Sequence, residues 1–230
     1  MTADMFVSWG LSQGVTWLAA AMFSLVLALA LSRVAWSLPR RINPDLTDKP
    51  DPGHRRRRAG LLAVSPVFAG ACIWAFTPSV VAAAALVFVL MLLALAWIDA
   101  ETGLLPDLLT LPLLWLGLLV NLQGGFAPLQ DAVLGAVAGY LVLWCVYWSF
   151  LLLTGREGMG HGDFKLLAAL GAWLGWAALP WILLVSASLA LCAALILRLA
   201  GRMQAGDPLS FGPYLAVAGI VLLFAIPAGA

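Results

Sequence analysis

Eight apolar stretches, each 16 to 25 residues long, occupy most of this chain, at 15–37, 59–76, 79–98, 107–122, 130–154, 164–179, 181–199 and 210–228. A helix needs about 20 mostly apolar residues to cross the hydrocarbon core of a bilayer. Backbone inside lipid must also satisfy its own hydrogen bonds, which a helix does. The sequence therefore predicts an all-α, polytopic membrane helix bundle of about eight transmembrane helices. Two of the breaks are placed at Pro78 and Pro180, because proline interrupts a helix. Composition agrees: 63% of the 230 residues are hydrophobic and only 10% are charged. A soluble domain would carry roughly a quarter charged residues, so polar surface is too scarce here to cover a water-soluble globule. No basic residue precedes the first apolar stretch, so that stretch is expected to remain as a span rather than leave as a secretory signal.

The formal net charge is only +1, but its distribution is informative. Arg33, Arg40, Arg41, Lys49 and Arg55–Arg58 lie in or beside the connection 38–58, and the other four basic residues are Arg156, Lys165, Arg198 and Arg202. With eight spans, alternate loops share a side, and all 12 basic residues then fall on one face. The positive-inside rule makes that face cytoplasmic, which predicts a multi-pass protein of the inner membrane with both termini on the other side. The stretch 38–58 is the only long polar segment and reads as a basic loop or small lobe. Its Arg55–Arg58 run suits a topology anchor on anionic membrane lipid or a contact with a protein partner. Basic residues do not interleave with aromatic ones, so a nucleic-acid partner is not expected. Neither an internal repeat nor a heptad pattern is visible, and residues 1–230 read as a single integral-membrane domain. Cys72, Cys145 and Cys192 stand singly in apolar stretches. Without a C-x-x-C pair they suit packing better than zinc or dithiol chemistry.

Acidic residues in or beside membrane spans are costly and so mark candidate function. Asp99 ends the third stretch and Asp163 begins the sixth, at the same depth under this topology. Two carboxylates in a partly dry site share a proton, because both cannot easily ionise. Such a pair supplies a base to activate water and an acid to protonate a departing amide. It needs no metal and no cofactor for proteolysis. Around Asp163 the residues run Gly158-Met159-Gly160-His161-Gly162-Asp163-Phe164-Lys165. Glycines at alternate positions would leave backbone open to an extended substrate, and Asp163 equally suits the N-cap of the sixth helix. His161 with Asp163 makes only a weak metal site. Around Asp99, Pro106 and Asp107 mark the start of the fourth helix, with Asp107 its cap, and Glu101 reads as a solvated loop residue. Lys165, one turn into the sixth helix, is expected to anchor or neutralise nearby carboxylates. The eleven tryptophans sit mostly near helix ends, as an interfacial aromatic belt does.

Three stretches carry a resemblance: IDAETGLLPDLLTLPLLWLGLLVN at 98–121, GMGHGDFKLLAALGAWLGW at 158–176 and SFGPYLAVAG at 210–219. They are similar to the type IV prepilin leader peptidases, membrane aspartic proteases of the GxGD kind, and the likeness continues in GAVAGYLVLWCVYW at 135–148. It is nearest to the short peptidases encoded with type II secretion systems. The resemblance implies that Asp99 and Asp163 are the catalytic pair, with Gly160, Gly162, Lys165 and Asp107 shaping the site. It implies cytoplasmic cleavage of the basic leader of prepilins or pseudopilins, after a glycine and before the apolar N-terminal helix. It also implies N-methylation of the new N-terminus from S-adenosylmethionine, although no methyl-donor pocket is legible in these residues. One departure stands out, since larger members carry a lobe with two C-x-x-C pairs that bind zinc where this chain has only 38–58. The rival readings are a proton- or ion-coupled transporter using Asp99 and Asp163, and a catalytically silent assembly component of a secretion machine.

Overall fold

The computed structural model describes residues 3–42, 52–77, 79–155, 159–202, 204 and 209–225. Eight α-helices and one 3₁₀ turn make up its regular structure. They are α1 (Ala3–Ile42), α2 (Pro52–Phe76), α3 (Val80–Thr102), α4 (Asp107–Leu122), α5 (Leu129–Thr154), α6 (His161–Leu174), α7 (Leu179–Leu199) and α8 (Gly212–Ala225), with the 3₁₀ turn at Trp176–Ala178. No strand occurs among the described residues. Among the described residues, five helices are long and apolar enough to cross a membrane, and α4 and α8 are shorter apolar helices. The chain is thus a multi-pass helical membrane protein.

Several expected boundaries move, each for a local reason. The first two helices reach into the stretch read as a loop, so Arg40 and Arg41 end α1 and Arg55–Arg58 lie in the opening turns of α2. The rest of that connection, including Lys49, lies outside the described residues, as do Pro78, Arg156 and Gly158. The sixth helix stops at Leu174, not at Pro180. Gly175 there takes φ 79°, a left-handed value that side chains resist, and Pro180 sits harmlessly in the first turn of α7. Proline is tolerated at that position because the N–H it lacks would be unpaired anyway. Glu101 is not in a loop, because α3 runs on to Thr102 and leaves it half-buried. Gly103 (φ 65°) then closes α3, donating its N–H to the Asp99 carbonyl at 2.8 Å.

The chain divides into two compact units, Met1–Leu90 and Met91–Ala230. In the first, α1 packs on α2. The Trp36 ring meets His54 edge-on at 4.2 Å between centroids, and a Cβ on Gly70 would touch Trp17 at 3.4 Å.

In the second unit α6 is the centre. Every residue from Asp163 to Leu174 except the half-buried Lys165 is buried, as befits a helix covered on all sides. It packs chiefly on α5 and α4. Contact with α5 is backbone on backbone: a Cβ on Gly135 would strike the Gly171 carbonyl, and one on Gly139 would lie 2.7 Å from the Leu167 oxygen. Small residues four apart allow this close approach in membrane helices, where packing rather than water expulsion drives association. Gly117 of α4 similarly receives the Trp173 ring, whose indole N–H donates to the Leu113 carbonyl at 2.7 Å. Asn121, buried at the end of α4, donates from its amide to the carbonyls of Ala172 (2.8 Å) and Trp173 (2.9 Å). Its oxygen accepts the N–H groups of Phe126 (2.8 Å) and Ala127 (3.0 Å). One side chain thereby ties the end of α4, the following turn and the end of α6, and it holds α6 in register.

Candidate active site

Asp99 projects from the last turn of α3 and Asp163 from the first turn of α6, and both are buried. Although 64 positions apart in the chain, they line one cavity of about 560 Å³. Three segments complete the lining: the turn after α3 (Gly103, Leu105), the approach to α6 and its first turn (Met159, Gly160, Gly162) and the approach to α8 (Leu209, Ser210, Phe211). The pair therefore sits where three helix ends converge.

The segment before α8 fixes Asp99. The Gly212 N–H donates to Asp99 Oδ2 at 3.1 Å, and the Ser210 hydroxyl donates to the Asp99 carbonyl at 3.2 Å. A Cβ at position 212 would lie 2.7 Å from Oδ2, so the amide reaches the carboxylate only because the residue is glycine. Sequence reasoning assigned no role to Ser210 or Gly212. Their signal was Ser-Phe-Gly-Pro at the head of an apolar run, a helix-start pattern with no acidic residue of its own.

Asp163 is not the N-cap of α6. Gly160 takes that position, accepting the Asp163 N–H at 3.2 Å, and Asp163 stands in the first turn. It lies ahead of the apolar run at 164–179 and outside the five spanning helices. Burial pushes its carboxyl up to about 7, the negative charge of Asp99 adds to this, and a hydrogen bond from the Gly160 backbone opposes it. At neutral pH the pair is thus poised to hold one proton between two carboxyl groups.

The neighbouring glycines differ in purpose. Gly160 is exposed at the cavity, and a Cβ there would meet Asp163 Oδ2 at an ordinary 3.9 Å. Gly162 is closed off, since a Cβ there would lie 2.7 Å from that of Leu105. Asp107 is not the cap of α4 either. Pro106 is, and it offers no side-chain hydrogen bond. Asp107 instead receives Lys165 Nζ on both oxygens, at 2.6 and 2.8 Å. Lys165 and Asp107 are about a third and a half exposed, and neither lines the cavity. Their ion pair contributes at most about 1 kcal/mol and pins the start of α4 to the start of α6. His161, at the first position of α6, stacks near Tyr147 (4.9 Å) and Phe164 (5.5 Å).

Residues 86–197 match the model of the Type IV leader peptidase family. A prepilin leader peptidase/N-methyltransferase of Aeromonas salmonicida is 58% identical over 147 residues, which is 64% of this chain and 50% of that protein. A protein of the same name from Burkholderia pseudomallei is 56% identical over 149 residues, 65% of this chain and 48% of its own. Another from Dickeya chrysanthemi is 62% identical over 126 residues, 55% and 44% of the two chains. The chain spans about half the length of the curated relatives it matches. No solved structure matches it. The transporter reading finds no support among these relatives. Over residues 86–197, the chain is similar to the type IV leader peptidase family.

Proposed function

We propose that this chain is an aspartic endopeptidase that removes the leader of prepilins or pseudopilins after a glycine. The observation that carries this reading is the pair itself: two buried carboxyl groups from separate helices line one cavity, and the charge of one raises the proton affinity of the other. In the reaction, the ionised carboxylate takes a proton from water, and the water oxygen bonds to the scissile carbonyl carbon. The protonated partner gives its proton to the leaving nitrogen as the C–N bond breaks. One proton enters the pair and one leaves it, so the pair returns to its starting charge. Gly160 keeps the cavity rim free of side chains beside Asp163, and Gly162 lets Leu105 close against the α6 start. Lys165 and Asp107 hold two helix ends in place. Residues 1–230 act as one integral-membrane peptidase of the bacterial inner membrane, with the site at its cytoplasmic face and lipid as solvent.

Methyl transfer would require S-adenosylmethionine. Among the described residues that line the cavity there is one aromatic ring, Phe211, and the charged groups are the two aspartates already used for hydrolysis. These residues do not fit the donor, so no methyl-transfer step is derived for this cavity.

The test is the mass of a pilin precursor co-expressed in a host without its own leader peptidase. Loss of the leader is expected, and an unchanged mass overturns the proposal. A product heavier by one methyl group would place methyl transfer in this chain as well.

The pH dependence follows from the pair. Asp163 is raised to about 7, so it is protonated below that value and ionised above it. The productive singly protonated pair exists below about pH 7 and is lost as pH rises through it. Cleavage by purified protein in detergent is expected to fall along an alkaline limb centred near 7. A rate that stays flat from there into the alkaline range contradicts the shared proton.

A further inference from the structure

The two glycines that flank His161 have opposite surroundings beside Asp163. At Gly160 the rim is exposed, and a Cβ there would meet nothing closer than Asp163 Oδ2 at 3.9 Å. At Gly162 the space is taken by Leu105, whose Cβ, Cδ1 and Cγ would lie 2.7, 3.3 and 3.4 Å from an added Cβ. Glycine at 162 therefore admits Leu105 onto the backbone just before Asp163 and does not leave that backbone open. Leu105 is half-buried and lines the cavity together with both aspartates. An extended chain laid across Asp163 accordingly finds free space on one side and an isobutyl group on the other.

Leu105 is held from both directions along the chain. Gly103 turns the backbone out of α3 at φ 65°, with its N–H on the Asp99 carbonyl. Pro106 follows Leu105 directly and is buried, and the residue before a proline is confined to extended backbone. One position further, Asp107 takes Lys165 Nζ at 2.6 and 2.8 Å, which clasps the start of α4 to α6 three positions beyond Gly162. These contacts fix the backbone and Cβ of Leu105 beside Asp163, and packed side chains give way only at a cost. A carbonyl carbon ready for attack lies about 3–3.5 Å from the attacking oxygen, and the Cβ of the same residue is only two bonds from that carbon. The side chain on the carbonyl side of the cut is thus the substrate group drawn deepest between the two aspartates, and glycine has none. We propose, on the endopeptidase reading above, that Leu105 is a specificity-determining residue that restricts the carbonyl side of the scissile bond to glycine, by filling the space a substrate Cβ would need. The residue after the cut lies toward the open rim at Gly160, where a side chain fits.

The test measures kcat/KM for leader removal in detergent from purified precursors carrying glycine, alanine or valine before the cut. The unaltered protein is compared with Leu105→Ala and Leu105→Val. For the unaltered protein the rate is expected to fall about 10-fold or more from glycine to alanine, and further to valine, as a misfit of one or a few carbons in a packed site does. Leu105→Ala is expected to raise the alanine-to-glycine ratio by about 10-fold or more, and Leu105→Val by a smaller factor. A ratio taken on one protein cancels changes in the folded fraction or in the aspartates themselves. Melting in detergent shows which variants fold, and Leu105→Val carries the test if Leu105→Ala does not. Equal processing of alanine and glycine by the unaltered protein overturns the inference. So does an unmoved ratio in a folded variant, the outcome if glycine is demanded for a left-handed backbone instead. In both cases cleavage of the glycine precursor leaves the endopeptidase reading standing. Failure of the unaltered protein to cleave the glycine precursor overturns that reading and the inference with it.

Discussion

Asp99→Asn and Asp163→Asn are each expected to reduce leader removal by about 10³-fold or more, consistent with the loss of an acid–base partner. An amide is nearly the size of the carboxyl group it replaces but can neither take a proton from water nor give one to a leaving nitrogen. In the Asp99→Asn variant the amide oxygen can still accept the Gly212 N–H, so the convergence of α3 and α8 should survive. Both variants should therefore melt within a few degrees of the parent protein. A neutral amide in place of Asp163 removes the cost of burying a charge, and the lesser repulsion from Asp99, which together raise this carboxyl to about 7. The useful control is Asp107→Asn, which touches only the half-exposed pair with Lys165 and should leave cleavage close to normal. Substantial processing by either of the first two variants, assayed on a purified precursor by gel or mass shift, would show that the pair is not the catalytic machinery.

The second large effect is structural. Asn121→Leu is expected to destabilise the protein by about 3–5 kcal/mol, because the four backbone groups paired with Asn121 lose their partner inside the packed core. The orphans are the carbonyls of Ala172 and Trp173 and the N–H groups of Phe126 and Ala127. Leucine is similar in volume, so the loss reads the hydrogen bonds rather than a cavity. Thermal unfolding in detergent should show a drop of roughly 10 °C or more, at about 2–4 °C per kcal/mol for a chain of this size. A drop of only a degree or two would mean that the Gly135–Gly171 contact and the Trp173 bond to Leu113 suffice to hold α6. Cleavage would fall along with stability in this variant, since the register of α6 sets where Asp163 meets Asp99.

The two aspartates were legible because an acidic residue beside a long apolar run is rare, and each sits in a distinctive local pattern. Their immediate supports were harder to see. Gly212 acts through its backbone N–H, which every residue but proline has, and its fitness for the role comes from a missing Cβ facing Asp99. Asn121 closed an otherwise apolar stretch and gave no hint that its four hydrogen bonds reach into two other segments. The cap assignments for Asp107 and Asp163 failed for a related reason. An acidic residue at a helix start suits several roles by propensity, and the choice belongs to whichever partner arrives, here Lys165 for one and a buried cavity for the other.

Helix number, the membrane as solvent and the candidacy of Asp99 and Asp163 follow from hydrophobicity along the chain, which needs no knowledge of neighbours, because lipid acts on each segment separately. Helix ends near Gly175, the burial of α6 on nearly every side and the meeting of Asp99, Ser210, Gly212 and Asp163 depend on which helices touch. Those contacts come from steric fit between surfaces far apart in sequence, where a hydrogen atom in place of a methyl group decides how closely two backbones approach. That complementarity is a property of pairs, and the linear order of residues records only its halves.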